Sequence, residues 1–245
     1  MAVIASLDLG NTRLKWWLDG SDWSEQGAIA NDALESGLRA LPWSLITEVR
    51  IGSVRDAPTT TAISVLIDSL SAPTCRVVQV AARPWPGTLV FPSTDLAQIG
   101  IDRYLALLAA VDLQQHCVVI DSGTALTVDI VAGGVHQGGY IVPGLHLAWQ
   151  SLVSQTDRIR MSNEALYDAK LPPGYVTQTC VDHGVRLALV SLCRHTILDQ
   201  ADAESCLVLV TGGAGEWLIP HLPGRVNYRP DLVKQGMDRY FSLCS

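Results

Sequence analysis

Two short segments of the sequence place an aspartate beside a glycine between apolar runs. AVIASLDLGNTRLKWWL, near the N-terminus, contains Asp8, and VVIDSGTALTVDIV, near the middle, contains Asp121. In each segment an apolar run precedes Asp-x-Gly, small polar residues follow, and a second apolar run returns, which is typical of a β-hairpin. The sequence therefore predicts two hairpins, each with an aspartate at its tip.

These hairpin tips have the composition of a phosphate-binding site. Glycine and small polar residues expose backbone N–H groups and hydroxyls that can surround phosphate oxygens. A carboxylate repels phosphate, so an aspartate there implies an intervening cation or water. One Asp-x-Gly turn is weak evidence, because Asp and Gly favour turns everywhere, but two copies predict a nucleoside triphosphate site. Its cation-side residues are Asp8 and Asp121, and its phosphate-side residues are Asn11, Thr12, Lys15, Gly123 and Thr124.

The segment TGGAGEW, residues Thr211–Trp217, follows an apolar run and is predicted to open a helix. The backbone of Gly212 and Gly213 would let a ligand approach closely, and a planar adenine commonly rests on such a surface. A tight strand-to-helix connection explains the same residues equally well.

The segment IGIDRYLALLAA places Gly100 just before Asp102 and Arg103 at the start of a predicted helix. The helix dipole favours an aspartate in the first turn, which is a purely structural explanation. A chemical explanation is that Arg103 pairs with the carboxylate of a small acidic substrate while Asp102 accepts a hydroxyl proton.

The remaining pattern alternates strands with helices. Predicted strands are Ala2–Leu7, Leu14–Leu18, Val49–Val54, Arg76–Val80, Val118–Asp121, Thr127–Val131, GGVHQGGYIV and Leu207–Val210. Helices are predicted over 31–42, 59–70 and Asp102–Gln114, after Gly144, and over Thr177–Asp199, whose buried face would carry Val181, Val185, Ala188 and Leu192. The Pro-rich segment Ala82–Asp95 is predicted to be a loop.

Each half of the chain opens with an Asp-x-Gly hairpin and continues with alternating strands and helices. This weak internal duplication predicts an α/β fold of two lobes, residues 1–115 and 116–245, with a ligand cleft between them.

Composition excludes several classes of protein. A net charge of −7 across 245 residues is unlike a duplex-binding surface, so no nucleic-acid partner is expected. No run approaches the roughly 20 apolar residues of a membrane span, and the N-terminus lacks the basic region of a signal peptide. The six cysteines form neither a CxxC pair nor a zinc spacing. We expect a reduced cytoplasmic protein without a membrane partner.

Five motifs occurring in order resemble the type III pantothenate kinase family, over nearly the whole chain. They are DLGNTRLK (Asp8–Lys15), GIDR (Gly100–Arg103), DSGTALTVD (Asp121–Asp129), GGYIVPG (Gly138–Gly144) and TGG (Thr211–Gly213).

The resemblance implies two ribonuclease-H-like lobes of the acetate and sugar kinase/Hsp70/actin type. It implies ATP-dependent phosphorylation of pantothenate to 4'-phosphopantothenate, which opens coenzyme A synthesis. It further implies Mg-ATP, a monovalent cation (K⁺ or NH₄⁺), and a homodimer with pantothenate near the subunit interface.

The resemblance also assigns roles to individual residues. Asp102 is the proton acceptor, and Asp121 is the ligand of the monovalent cation. Asp8 acts through Mg²⁺ or water, and Thr177, rather than the competing Thr179, contacts the substrate. The other substrate residues are Gly100, Ile101 and Arg103, and the other ATP residues are Gly10, Asn11, Thr12, Lys15, Thr124, Gly212 and Gly213.

The chain departs from the family pattern in two places. Ser93 stands where relatives carry a substrate-contacting tyrosine, and Phe91 could replace its ring but not its hydroxyl. VSQTDRIR stands where relatives carry Thr-Ala-x-Leu-Pro, so the family pattern does not predict the local loop there, although it still predicts the reaction. The alternatives are a kinase of the same fold for another small hydroxyl substrate, and a non-catalytic ATP-binding regulator, since some relatives were described as accessory factors.

Overall fold

The computed structural model describes residues 2–85, 88–92, 96–113, 116–156, 170–200, 204 and 206–244. The strands are β1 (Val3–Leu9), β2 (Arg13–Asp19), β3 (Ser24–Ala30), β4 (Ile46–Ser53), β5 (Arg76–Gln79), β6 (Cys117–Ser122), β7 (Ala125–Ala132), β8 (Val135–Pro143), β9 (Leu207–Thr211) and β10 (Arg225–Tyr228). The α-helices are α1 (Leu34–Arg39), α2 (Ala57–Leu70), α3 (Ile101–Leu113), α4 (Leu145–Ser154), α5 (Thr177–Leu198) and α6 (Leu232–Cys244). None of these helices is long and apolar enough to cross a membrane.

The strands form two five-stranded sheets of the same design. The first has the order β3-β2-β1-β4-β5, in which β1, β2 and β3 are antiparallel neighbours and β4 and β5 run parallel to β1. The second has the order β10-β9-β6-β7-β8 with the same directions, so β6 takes the place of β1. The duplication indicated by the sequence is therefore a repeat of sheet topology.

The chain divides into two compact units that are not continuous in sequence. Unit 1 comprises Met1–Trp85, Ser93–Ala109 and Leu232–Ser245, and unit 2 comprises Pro86–Pro92 and Ala110–Asp231. A single cut after residue 115 therefore misplaces the C-terminal helix α6, which packs on unit 1. The physical reason is that α6 buries Leu232 and Met237 there, beside α3.

Each sheet contributes its central strands to a separate apolar core. In unit 1 the core includes Leu7, Leu18 and Ile51, all without exposed surface. In unit 2 it includes Val118 and Val208, also fully buried. Near-continuous apolar runs in β1, β6 and β9 follow from burial on both faces of the sheet.

Several sequence-predicted elements change in the structure. The helix predicted over 31–42 is a 3-10 turn (Asn31–Ala33) followed by the short α1, and TGGAGEW leads into a 3-10 helix (Glu216–His221). Strands β3 and β10 and helix α6 were not predicted. Of the face predicted to be buried on α5, Val185 and Leu192 pack half-buried against the core of unit 2, whereas Ala188 is exposed. The fully buried positions of α5 include Asp182 and Arg186.

Helix α6 approaches α3 so closely that only glycine fits at position 236. A Cβ on Gly236 would overlap the backbone carbonyl of Leu105. We expect Gly236→Ala to lower the free energy of unfolding by about 1–3 kcal/mol, despite alanine's better helix propensity. Chemical denaturation would measure this change.

Gly184→Ala in α5 is the matched control, because a Cβ there meets nothing within 4 Å. It should raise the free energy of unfolding by up to about 1 kcal/mol. Stabilisation by both substitutions would disprove the close packing of α6 on α3.

Candidate active site

Asp8 lies at the carboxyl end of β1, between two strands. Across the hairpin its register partner is Lys15 on β2, and on the other side it is Gly52 on β4. A Cβ on Gly52 would lie 3.3 Å from the Leu105 side chain and 3.5 Å from the Ile101 side chain, so a larger residue at position 52 would crowd both side chains. The glycine thus lets the first turns of α3 pack against the end of the sheet that carries Asp8.

This packing brings a second carboxylate, Asp102, close to Asp8. Burial raises the pKa of Asp8 from 3.8 to about 6; the nearby Lys15 ammonium opposes the rise, and the Asp102 carboxylate adds to it. Two carboxylates and one ammonium therefore share a region of restricted solvation. Perturbed acids of this kind are common in active sites.

The tip of the β1–β2 hairpin is fixed by backbone hydrogen bonds. The Gly10 N–H donates to the Arg13 carbonyl at 3.1 Å, and a Cβ on Gly10 would lie 2.9 Å from that oxygen. The Asn31 side chain donates to the Asn11 carbonyl at 2.7 Å, and the Asn31 N–H donates to the Thr12 carbonyl at 3.3 Å. Asn11 and Thr12 themselves are exposed.

Asp102 and Arg103 occupy the first turn of α3, where both are half-buried. The Arg103 N–H donates to Asp102 Oδ1 at 2.7 Å, which orients the carboxylate. A Cβ on Gly100 would lie 2.7 Å from the same oxygen, so glycine leaves room for it. The helix is anchored one residue later, where the Tyr104 hydroxyl donates to the Arg83 carbonyl at 2.9 Å.

A cavity of about 440 Å³ opens beside this turn. It lies at the carboxyl ends of the parallel strands β4 and β5, the edge at which α/β sheets bind ligands. Its volume falls in the range of small-molecule sites. The lining residues are Ser53, Val54, Arg55, Gln79, Val80, Ala81, Ala82, Leu96, Gln98, Ile99, Gly100 and Ile101.

Sequence reasoning found Gly100 and Ile101 but missed the rest of the cavity wall. Ser53 and Val54 lie at the end of one predicted parallel strand, and Gln79 and Val80 at the end of another. Because ligands bind at that end of a parallel pair, these residues could have been identified from the predicted strands alone.

In unit 2, Asp121 holds the position that Asp8 holds in unit 1. It ends β6, with Thr127 of β7 and Thr211 of β9 as its register partners. Gly212 follows with a φ of +88°, and a Cβ there would overlap both Asp121 Oδ1 and the Ser122 backbone. The predicted Gly212-Gly213 loop is thus in direct contact with the predicted cation ligand.

The second hairpin tip is joined to the start of α4. The Gly144 N–H donates to the Thr124 carbonyl at 2.9 Å, and the Ala214 N–H donates to the Ser122 carbonyl at 3.0 Å. Thr124 is exposed. The structure therefore groups Asp121 and Thr124 of the second hairpin with the Gly212 loop, which lies far from them in the sequence.

Phe91 lies in unit 2, next to the β7–β8 hairpin. Its ring centroid is 5.4 Å from that of His136, whose Nε2 lies 2.7 Å from the buried carboxylate of Asp129. Val90 exchanges backbone hydrogen bonds with this hairpin, donating to the Gly134 carbonyl at 2.9 Å. A histidine on the adjacent strand thus holds the ring that the sequence analysis proposed as a substrate contact. Ser93 lies outside the described residues.

Thr177 begins α5 and is exposed. Its competitor Thr179 has a hydroxyl engaged locally, donating to the Val176 carbonyl at 3.0 Å. Thr177 is therefore the threonine better placed to meet a ligand. In VSQTDRIR, residues 157–160 lie outside the described residues.

Comparison with known proteins identifies the group to which the chain is similar. A family model described as type III pantothenate kinase matches residues 4–199. Curated type III pantothenate kinases from Acinetobacter baylyi and Pseudomonas savastanoi pv. phaseolicola are 32% and 35% identical, each over 96% of this chain and 96% and 97% of their own length.

Solved structures confirm the fold class. A protein assigned to the Baf family of transcriptional activators from Campylobacter jejuni matches with a TM-score of 0.64 and 17% identity, over 97% of both chains. MreB 5 of Spiroplasma citri, bound to AMPPNP, matches with a TM-score of 0.51 and 12% identity, over 100% of this chain and 97% of its own. The two-lobed fold of sugar kinases and actin is thereby shown.

The raised pKa of Asp8 makes a testable prediction about stability. Because the folded-state pKa lies above the ordinary 3.8, the folded protein retains a proton that the unfolded chain has released. The contribution of this proton to the free energy of unfolding is therefore complete below pH 4. It is lost as the pH rises through about 6, which lowers the free energy of unfolding by at most about 3 kcal/mol. In metal-free buffer, Asp8→Asn should raise the Tm by several degrees at pH 8 and much less at pH 4.

Asp19→Asn is a control, because its effect on the Tm should have the opposite sign to that of Asp8→Asn. Although burial raises its pKa, hydrogen bonds from Lys234 and Ser24 hold the pKa of Asp19 below its usual value. Its stabilising contribution is present above pH 4 and lost on acidification, so this substitution should lower the Tm at pH 8 and less at pH 3. If Asp8→Asn changed the Tm equally at pH 8 and pH 4, burial of the Asp8 carboxylate would not be what raises its pKa.

Proposed function

The chain belongs to the type III pantothenate kinase family, and from this premise we propose that it phosphorylates the primary hydroxyl of pantothenate with ATP. The product would be 4'-phosphopantothenate, and the reaction would open coenzyme A synthesis. The observation that carries the proposal is the position of Asp102. The first turn of its own helix orients its carboxylate, and both Asp8 and the cavity lined by Gly100 and Ile101 lie near it.

Membership of this family implies ATP and a divalent metal ion as well as pantothenate. The carboxylates near the first hairpin fit Mg²⁺, which prefers oxygen ligands and is commonly held by one or two carboxylates plus substrate phosphates. Asp8 would hold the ion, directly or through water.

When bound, Mg²⁺ would neutralise charge on the phosphates. The chain's own groups would do the rest of the positioning. Gly10, Asn11, Thr12 and Lys15 would bind phosphate oxygens from the first hairpin. Thr124 and the backbone of Gly212 and Gly213 would bind the nucleotide from unit 2.

For the acceptor, Asp102 would accept the proton of the pantothenate hydroxyl as its oxygen attacks the γ-phosphorus. The new P–O bond forms as the bond to the β-phosphate oxygen breaks, and ADP leaves. Arg103 would pair with the pantothenate carboxylate. Gly100 and Ile101 would form one wall of the acceptor site, with Thr177 and Phe91 as further substrate contacts.

We assign a monovalent cation, K⁺ or NH₄⁺, to Asp121. The support is its place at the end of β6, where the register partners are the threonines Thr127 and Thr211. Carboxylate and carbonyl oxygens suit such hard cations.

A homodimer in the cytoplasm completes the proposal. Strand β8 lies at the edge of its sheet and exposes two large apolar side chains, Tyr140 (47%) and Ile141 (59%). An exposed apolar edge strand favours pairing with a second chain. Leu147 on the following helix is 41% exposed and extends the apolar surface.

Asp102→Asn tests the proposed base. A positioned base contributes roughly 10²- to 10⁴-fold to the rate, so kcat should fall by that factor while the Tm and oligomeric state stay unchanged. A coupled assay of ADP release with pantothenate as acceptor measures it. Near wild-type turnover of this variant would remove Asp102 from the role.

The same assay in potassium and in sodium buffer tests the cation assignment. Turnover should be higher in potassium, and Asp121→Asn should abolish the difference between the two. ATP binding without turnover of any acceptor would instead indicate a non-catalytic regulator. Turnover of a different small hydroxyl compound would indicate another kinase of this fold.

A further inference from the structure

Arg55 is a cationic residue that none of the sequence motifs contains. It lies two residues beyond the end of β4 and lines the same cavity as Gly100 and Ile101. Its guanidinium Nη1 donates to the backbone carbonyl of Asn11, at 3.4 Å. Arg55 therefore reaches from the acceptor cavity to the tip of the phosphate-side hairpin.

The backbone of Arg55 is held in place by a pair of hydroxyl groups. Its N–H donates to Ser53 Oγ at 3.1 Å, and its carbonyl accepts from Thr60 Oγ1 at 3.3 Å. The two hydroxyls lie 2.8 Å apart. Helix α2 starts at once, capped by the Asp56 side chain, which accepts from the Thr59 N–H at 3.0 Å. The base of the side chain is thus preorganised, while its long stem keeps freedom to adjust.

The charge of Arg55 is not used by an ion pair within the described residues. Arg39 and Arg50, by contrast, are paired, with Glu35 at 2.8 Å and with Glu48 at 2.7 Å. An unpaired, half-buried guanidinium at the wall of a cavity suits an anionic group of a ligand, which it can bind through two parallel hydrogen bonds.

We propose that Arg55 contacts the phosphoryl group in transit between ATP and the acceptor hydroxyl. The inference rests on the proposed function and adds a residue to it. The contact with Asn11 places the guanidinium at the hairpin that would hold the phosphates, and the cavity wall places it beside the acceptor. Arg55 makes no covalent bond: it stabilises charge on the equatorial oxygens, while the acceptor proton goes to Asp102 and ADP departs.

The test compares Arg55→Gln and Arg55→Lys with wild type, using Arg39→Gln as a matched control. Arg39 is exposed and pairs only with Glu35 on its own helix. With Mg-ATP and pantothenate, Arg55→Gln should lower kcat by about 10²- to 10³-fold and change the KM for pantothenate by less than about threefold. Arg55→Lys should recover part of the rate, and Arg39→Gln should match wild type.

Two further readouts separate a contact from a structural role. In Arg55→Ala, added guanidinium ion should partly restore turnover, which would not occur if the side chain only supported the fold. In isothermal titration, Arg55→Gln should weaken ATP binding more than ADP binding, because only ATP has the γ-phosphate.

Specific results would overturn the inference. A raised KM for pantothenate with unchanged kcat would place Arg55 on the substrate carboxylate, and behaviour like that of Arg39→Gln would give it no role. If the wild type binds ATP but phosphorylates no acceptor, the proposed function fails, and the ATP–ADP comparison still decides whether Arg55 meets the γ-phosphate.

Discussion

The unfavourable burial of Asp8 beside Asp102 is the constraint on which the architecture of unit 1 depends. Two carboxylates approach each other only if other interactions offset their repulsion and lost hydration. Lys15 across the hairpin supplies the opposing charge, and the packing of α3 on Gly52 supplies the apolar contacts that hold Asp102 in place. The C-terminal helix α6 reinforces this packing from the far end of the chain, which explains why it belongs to the first unit.

Glycine performs the same task in both units, although at different points. Gly52 removes a side chain so that α3 can approach the sheet, and Gly100 removes one so that the Asp102 carboxylate has room. In unit 2, Gly212 adopts a positive φ and lets its loop rest on Asp121. At Gly100 and Gly212 the backbone approaches a carboxylate closely, and at Gly212 the positive φ also favours the one residue without a Cβ.

The sequence predicted the elements whose signals are local. The two Asp-x-Gly hairpins and the helix that starts near Asp102 were correct, because buried strands, turn residues and helix starts leave short-range patterns. Strand β3 was missed because SEQGAIA is a half-polar edge strand that gains its order from pairing with β2. The face predicted for α5 includes Val185 and Leu192, which do pack on the core, but it omits Asp182 and Arg186, because a periodicity of apolar residues cannot reveal a buried ion pair, here at 2.9 Å. The cavity at the ends of β4 and β5 could have been found from the predicted strands, but Arg55 carries no motif, and its hydrogen bond to Asn11 is a tertiary contact that the sequence does not show.

The duplicated topology also places different side chains beside the two aspartates, Asp8 and Asp121. Side chains directly opposite each other on antiparallel strands lie on the same face and interact. Asp8 faces Lys15 in this way, so the chain itself supplies a cation there, whereas Asp121 faces Thr127 and has Thr211 on its parallel neighbour. Hydroxyl groups donate hydrogen bonds to a carboxylate but do not neutralise it. The same framework therefore sets a charged side chain opposite the aspartate of unit 1 and hydroxyl-bearing side chains beside the aspartate of unit 2, and this difference supports the proposal of a monovalent cation at Asp121.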